Sequence, residues 1–116
     1  MQKFLVLYMA PARVLEEWMK LDESVRKNQE VEMKAGWDAW MQTHGSMLTG
    51  MTAGAGKTRR VTSAGAEDVK NDVMMFSIIE AESQDAAATA FQNHPHFGIP
   101  EGWIDIMPAH VLSGMS

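Results

Sequence analysis

The sequence predicts an α+β fold with the ferredoxin-like order β-α-β-β-α-β, an antiparallel sheet carrying both helices on one face. Two runs, Phe4 to Met9 and Val73 to Ile79, are apolar on both sides of a strand, with only Ser77 interrupting, as strands covered on both faces are. Segments with apolar residues at helical spacing separate the strands. The 116 residues suit a single domain spanning residues 1 to 116.

The four strands differ in how apolar they are, and this difference predicts their positions. Phe4 to Met9 and Val73 to Ile79 have no polar side, so we expect them at the centre of the sheet. Ser46 to Thr52 and Trp103 to Pro108 are shorter or mixed, which is typical of edge strands.

Helical sequence lies between the first two strands. Pro11 suits a first helical turn, and a break near Leu21 and Asp22 divides this region into two helices. The longer one places four residues on the side predicted to face the sheet: Trp37, Trp40, Met41 and His44.

The last helix has a clear start and a clear stop. Ser83 is a suitable N-cap, and Asp85 follows in the first turn. Pro95 disfavours helical geometry at the residue before it, so the helix should end at about Asn93.

A polar insertion separates the second and third strands of the predicted sheet. We expect an extra arm or hairpin around residues 53 to 66, including "KTRRVTSAG" from Lys57 to Gly65. The preceding "GMTAGAGKT" does not match a phosphate loop, because its first glycine would fall at Met51 and strand-like sequence follows.

Composition and charge exclude several classes of partner. The formal net charge of −5 opposes binding to phosphate backbones, so no nucleic acid is expected. No apolar run approaches the length of a membrane-spanning helix, so no membrane partner is expected. The chain has no cysteine, which agrees with a cytoplasmic location. "MQKFLVLYMAPA" has features of a secretory signal but is short for one, and we interpret it as the first strand.

A sheet with both helices on one face leaves its other apolar face uncovered. Such a surface calls for a partner, and the simplest partner is a second copy of the chain. We therefore predict a homodimer whose sheets pack face to face and enclose a pocket for a small molecule of unknown identity.

Four segments resemble the YCII-related family, specifically its longer DGPF-type members. They are "FLVLYMAP", "KTRRVTSAG", "FSIIEAES-x-DAA" and the closing "HPH…IP-x-G-x-IDIMP". The resemblance implies a dimeric α+β barrel, related to folds of the muconolactone isomerase type. The family signature DGPF is replaced here by "SAGA", from Ser63 to Ala66.

The resemblance also directs attention to two positions. Compact family members are associated with an acid-base pair, a His on the first helix and an Asp before the Pro that follows the second helix. In this chain His94 precedes that Pro, and Lys34 is the candidate near the position of the first-helix His.

The candidate site residues are His94 as a catalytic residue and Tyr8, His94, His96 and Lys34 as ligand contacts. His94 could act as a general base, because the pKa of imidazole lies near neutrality, and Tyr8 could orient a ligand. His94 and His96 could instead hold a metal with Asp105 or His110, or His94 could simply end the helix. We assign no metal and no cofactor.

Two functions stay open on this basis. One is acid-base catalysis, isomerisation or elimination, on a small cyclic or aromatic-derived compound. The other is a non-catalytic ligand-binding or regulatory module, and the sequence does not decide whether the protein is an enzyme.

Overall fold

A computed structural model describes residues 1 to 114. Within these residues, three helices, six strands and two short 3-10 turns (Gly45–Met47 and Pro95–Gly98) follow one another. In chain order, the helices and strands are β1 (Gln2–Met9), α1 (Ala12–Met19), α2 (Glu23–His44), β2 (Leu48–Gly54), β3 (Thr58–Thr62), β4 (Gly65–Val69), β5 (Val73–Ala81), α3 (Gln84–Phe91) and β6 (Trp103–Pro108).

The sheet has four strands in the order β2-β5-β1-β6, and every neighbouring pair is antiparallel. The predicted α+β class is therefore confirmed, as are the central positions of β1 and β5. This order is compatible with a ferredoxin-like arrangement. β3 and β4 pair only with each other and form a separate hairpin.

One face of the sheet forms the core, and we call it the helix side. Alternate residues of β1 (Phe4, Val6 and Tyr8) point to this side and are fully buried. They cluster with Ile79 of β5 and with residues of α2 and α3, including Trp40, Ala87 and Phe91. Trp40 Nε1 donates a hydrogen bond to the carbonyl of Ala90, which joins the two helices.

The opposite face of the sheet is also apolar, and we call it the apolar sheet face. Leu7 of β1 pairs with Phe76 of β5, and Leu5 pairs with Ile78, so these four side chains share this face. All four are only half-buried. The pairing of β6 with β1 adds three more residues to the face: Trp103, Asp105 and Met107.

The structure confirms the predicted N-cap of α3, whereas the predicted end of α3 and the predicted burial of Met41 are wrong. The Ser83 hydroxyl caps α3 by accepting a hydrogen bond from the amide of Ala86. The last residue of α3 is Phe91, which lies two residues before the predicted end. Met41 is 40% exposed, although its spacing placed it on the buried stripe of α2.

The inserted arm is a hairpin, but its bounds differ from the predicted range of 53 to 66. Residues 53 and 54 still belong to β2, and the hairpin extends to Val69. Gly65 begins β4 with φ 141°, a backbone conformation that favours glycine at this turn. Within residues 1 to 114, no helix combines the length and hydrophobicity needed to cross a membrane.

Candidate functional site

Tyr8 is the centre of a buried cluster on the helix side of the sheet. Its ring lies within 5.3 to 6.2 Å of four other rings, measured between centroids: those of Trp37, Phe91, His94 and His96. Burial raises the pKa of the Tyr8 phenol to about 12, and a hydrogen bond to Ser77 opposes that rise. The phenol therefore stays protonated at neutral pH.

A chain of three hydroxyl groups runs across three strands from this cluster. Tyr8 Oη lies 2.8 Å from Ser77 Oγ, and Ser77 Oγ lies 2.9 Å from Thr52 Oγ1. Ser77 is fully buried, whereas Thr52 is exposed on the edge strand β2. Sequence reasoning missed both residues as site members, although Ser77 is the only polar residue within the apolar run of β5.

His94 lies immediately before the turn Pro95–Gly98, and its side chain accepts a hydrogen bond there. The amide of His96 donates to His94 Nδ1 at 2.9 Å. Because Nδ1 accepts, the neutral ring carries its proton on Nε2. Burial lowers the pKa of His94 to about 4, with a further lowering from the charge of His96. The imidazole is therefore neutral near pH 7.

The Nε2 atom of His94 is buried and has no hydrogen-bond partner among the described residues. Its ring lies 4.4 Å from that of Trp37 at an interplanar angle of 85°, and 4.7 Å from that of Trp40 at 63°. Such near-perpendicular rings are suited to N–H···π contacts, which compensate weakly for a missing acceptor. As bonded here, neither nitrogen of His94 offers a free lone pair.

His96 fixes the same turn to the sheet. Its Nε2 lies 2.8 Å from the carbonyl oxygen of Met9, and its side chain is almost completely buried. Burial lowers the pKa of His96, while hydrogen bonds to backbone groups of Met9 and Trp103 oppose the change. Gly102 packs tightly here, since an added Cβ would lie 3.3 Å from His96 Nε2.

A metal site at the two histidines is not supported by their bonding. Nδ1 of His94 and Nε2 of His96 each face a backbone group rather than a common point. Asp105 lies on the apolar sheet face, away from both histidine rings. Among residues 1 to 114, no three His, Cys, Asp or Glu side chains are grouped as metal ligands would be.

Lys34 is not part of the buried cluster. It lies on the exposed surface of α2 and forms an ion pair with Asp38 one turn later, at 2.8 Å. Of the residues expected to contact a ligand, the structure thus brings together Tyr8, His94 and His96 and leaves Lys34 apart.

The position of the cluster corrects one expectation. Tyr8 and His94 were expected to contact a ligand enclosed between two apolar sheet faces. Tyr8 points instead to the helix side, where its ring packs against α2, α3 and His94. Because neighbouring residues of a strand point to opposite faces, Tyr8 cannot share the face of Leu7. The sequence could not settle this point, because β1 is apolar on both sides.

A separate groove of about 790 Å³ lies between the start of α1 and the base of the hairpin. Its lining is mainly apolar, with charged side chains at the hairpin side, and an ion pair of Lys70 and Glu16 spans the two walls. The lining includes Pro11, Leu15, Lys57, Val69, Val73 and Met74. None of the expected site residues contributes to it.

Comparisons with known proteins do not assign the chain to a family. No protein-family model matches the chain, and no curated protein sequence shows significant similarity to it.

Proposed function

We propose that the chain is a homodimeric binding protein that holds a small, largely apolar molecule between the apolar sheet faces of its two subunits. The observation that carries this proposal is the half-buried state of Leu5, Leu7, Phe76 and Ile78 at the centre of the sheet. A contiguous apolar surface in this position is typical of an interface. The resemblance to the YCII-related family supports it, because that resemblance implies a dimeric α+β barrel.

The surface area of the chain supports the same proposal. It exposes 8129 Å² of accessible surface, whereas a compact monomer of 12.9 kDa should expose about 6,300 Å². The excess, roughly 1,800 Å², lies within the range that one subunit buries in an obligate dimer, about 1,000 to 2,500 Å². A single chain therefore has more exposed surface than its size requires.

The side chains of the apolar sheet face favour binding over catalysis. Asp105 lies opposite Leu7 on this face, and Trp103 Nε1 donates to its carboxylate at 3.3 Å. Apart from Lys3 and Glu80, which pair with each other at one end of this face, the remaining residues are hydrocarbon or thioether side chains without acid-base chemistry. A ligand here would be held by apolar contacts and oriented by one carboxylate and one indole.

Binding can be tested with a fluorescent apolar probe, anilinonaphthalene sulfonate. The native chain should bind it saturably. Leu7→Asp, which places a charge at the centre of the apolar sheet face, should abolish both dimerisation and saturable binding. The matched control is Val31→Asp, because Val31 is an exposed apolar residue of α2, and this variant should keep both properties. Saturable binding by a monomeric Leu7→Asp variant would contradict the proposal.

A second candidate function is acid-base catalysis at the helix-side cluster, isomerisation or elimination on a small cyclic compound. The observation that favours it is the buried Nε2–H of His94, which has no partner in the described residues. Two features weigh against His94 as the base. Its pKa of about 4 makes it a weak base, and its Nδ1 lone pair is occupied by the His96 amide.

The two candidates differ in their response to loss of His94. If the protein is an enzyme, His94→Ala should abolish turnover of a lactone or chlorinated phenol while ligand affinity is retained. If it is a binding protein, a panel of such compounds should bind without turnover, and His94→Ala should affect stability alone.

A further inference from the structure

The β3–β4 hairpin is exposed to a degree unusual for regular structure. Every residue from 59 to 68 is exposed, and Val61, an apolar residue in the middle of β3, is 78% exposed. A two-stranded hairpin without a covering layer is only marginally stable in water. A covering surface would therefore stabilise the hairpin, and the other residues between 1 and 114 do not supply one.

The base of the hairpin is fixed although its tip is exposed. Lys70 pairs with Glu16 of α1, and Asn71 Nδ2 donates to Thr58 Oγ1 at 2.7 Å. Arg59 pairs with Asp68 across the two strands at 2.9 Å. The Lys70–Glu16 pair joins the base of the hairpin to α1, whereas the other two contacts stabilise the pairing of its own strands. Both effects reduce the entropy that the hairpin would lose on contacting a partner.

The shape of the molecule agrees with a projecting arm. The radius of gyration is 16.1 Å, whereas a compact domain of this length should have about 13 Å. The molecule measures 49 × 46 × 20 Å, so it is a thin slab. When two slabs stack through their sheets, an element that extends beyond the edge of one slab can reach the other.

The charge of the hairpin indicates the kind of surface that would receive it. Residues 57 to 70 contain four of the ten Lys and Arg residues and two of the fifteen Asp and Glu residues, a net charge of +2. The rest of the chain contains six basic and thirteen acidic residues and therefore carries −7. Lys57 and Arg60 have no ion pair among the described residues.

We propose that the hairpin of each subunit lies against the acidic surface of a second copy of the chain, with Lys57 and Arg60 as its charged contacts. This inference rests on the homodimer proposed above. Opposite charges are complementary between the basic hairpin and the acidic remainder of the chain, so a second copy supplies the partner that the hairpin needs. The interface then includes both the apolar sheet face and a charged rim.

The absence of cysteine permits a direct test. Ala64, at the exposed hairpin turn, is changed to Cys and labelled with a benzophenone photo-crosslinker. The matched control is Ala88→Cys, at an exposed position of α3. We expect illumination to give a covalent dimer on denaturing gels for the Ala64→Cys protein and none for the Ala88→Cys protein. A protein that sediments as a dimer but gives no cross-link from Ala64→Cys would overturn the inference while leaving the proposed dimer intact.

A charge-reversal variant tests the proposed charged contact between Arg60 and the second copy. Arg60→Glu should raise the dimer dissociation constant roughly fivefold at low salt, because each dimer has two such contacts of modest energy. High salt should remove the difference by screening. An unchanged dissociation constant at low salt would overturn the charged contact, and a monomeric native chain would overturn the proposed function as well.

Discussion

Gly36 of α2 packs directly against Pro95. A Cβ placed on Gly36 would lie 2.9 Å from the Cβ of Pro95, closer than such carbon atoms approach in folded proteins. Glycine at this position therefore allows α2 to approach the turn Pro95–Gly98, which contains His96 and directly follows His94. The contact explains a glycine in the middle of a 22-residue helix, where glycine is otherwise unfavourable.

Gly36→Ala tests this contact through the free energy of unfolding. Helix propensity alone would stabilise α2 by about 1 kcal/mol. We expect instead no gain, or a loss, because the new methyl group must displace Pro95. Ala39→Gly, at an exposed position of the same helix, measures the propensity difference without the contact. If Gly36→Ala stabilised the protein by as much as Ala39→Gly destabilises it, the packing against Pro95 would have no energetic importance.

The hydroxyl chain predicts unequal costs at its two buried positions. Tyr8→Phe removes one hydrogen bond but leaves Ser77 bonded to Thr52, so it should cost about 1 kcal/mol. Ser77→Ala leaves the buried Tyr8 hydroxyl without its partner and should cost more, about 1 to 3 kcal/mol. Urea denaturation of both variants and of the double variant measures these costs. A larger cost for Tyr8→Phe than for Ser77→Ala would contradict the arrangement.

His94 should make stability depend on pH between about 4 and 6.5. The pKa of His94 is lower in the folded chain than in the unfolded chain, so the unfolded chain binds more protons in this range. Stability is therefore complete above pH 6.5 and falls as the pH is lowered. One pKa unit corresponds to about 1.4 kcal/mol, so the loss by pH 4 should approach about 3 kcal/mol.

Two measurements check the contribution of His94. Urea denaturation as a function of pH should show the fall in stability, and His94→Gln should reduce its slope. The NMR signal of the His94 ring in the native protein should stay that of a neutral imidazole down to pH 5. A His94 signal that titrates with a midpoint above pH 6 would show that the ring is not buried as described.

In the proposed homodimer, Asp105 should limit how tightly the subunits associate. Its carboxylate lies among the residues of the apolar sheet face, and dimerisation would remove it from water at a cost. Asp105→Asn keeps the shape of the side chain without the charge, so we expect a tighter dimer by about tenfold, or 1.4 kcal/mol. Sedimentation equilibrium of the two proteins measures the difference. Weaker association of Asp105→Asn would instead indicate that the carboxylate has a specific partner across the interface.

Local sequence signals predicted much of the fold. The Ser83 cap and the central and edge strands follow from short-range rules and were confirmed. The contact of Tyr8 with Ser77 depends on the register between β1 and β5, which neither strand encodes alone. The tautomer of His94 depends on one amide in the following turn, and the side of the sheet that Tyr8 occupies cannot be read from a strand that is apolar on both sides.

Sedimentation equilibrium of the native chain at micromolar concentration is the most direct test of the central claim, pairing through the apolar sheet face. We expect a species of twice the 12.9 kDa chain mass, and we expect Leu7→Asp to reduce it to a single chain while Val31→Asp leaves it unchanged. A native chain that remains a stable monomer, or a Leu7→Asp variant that dimerises as the native chain does, would contradict the account.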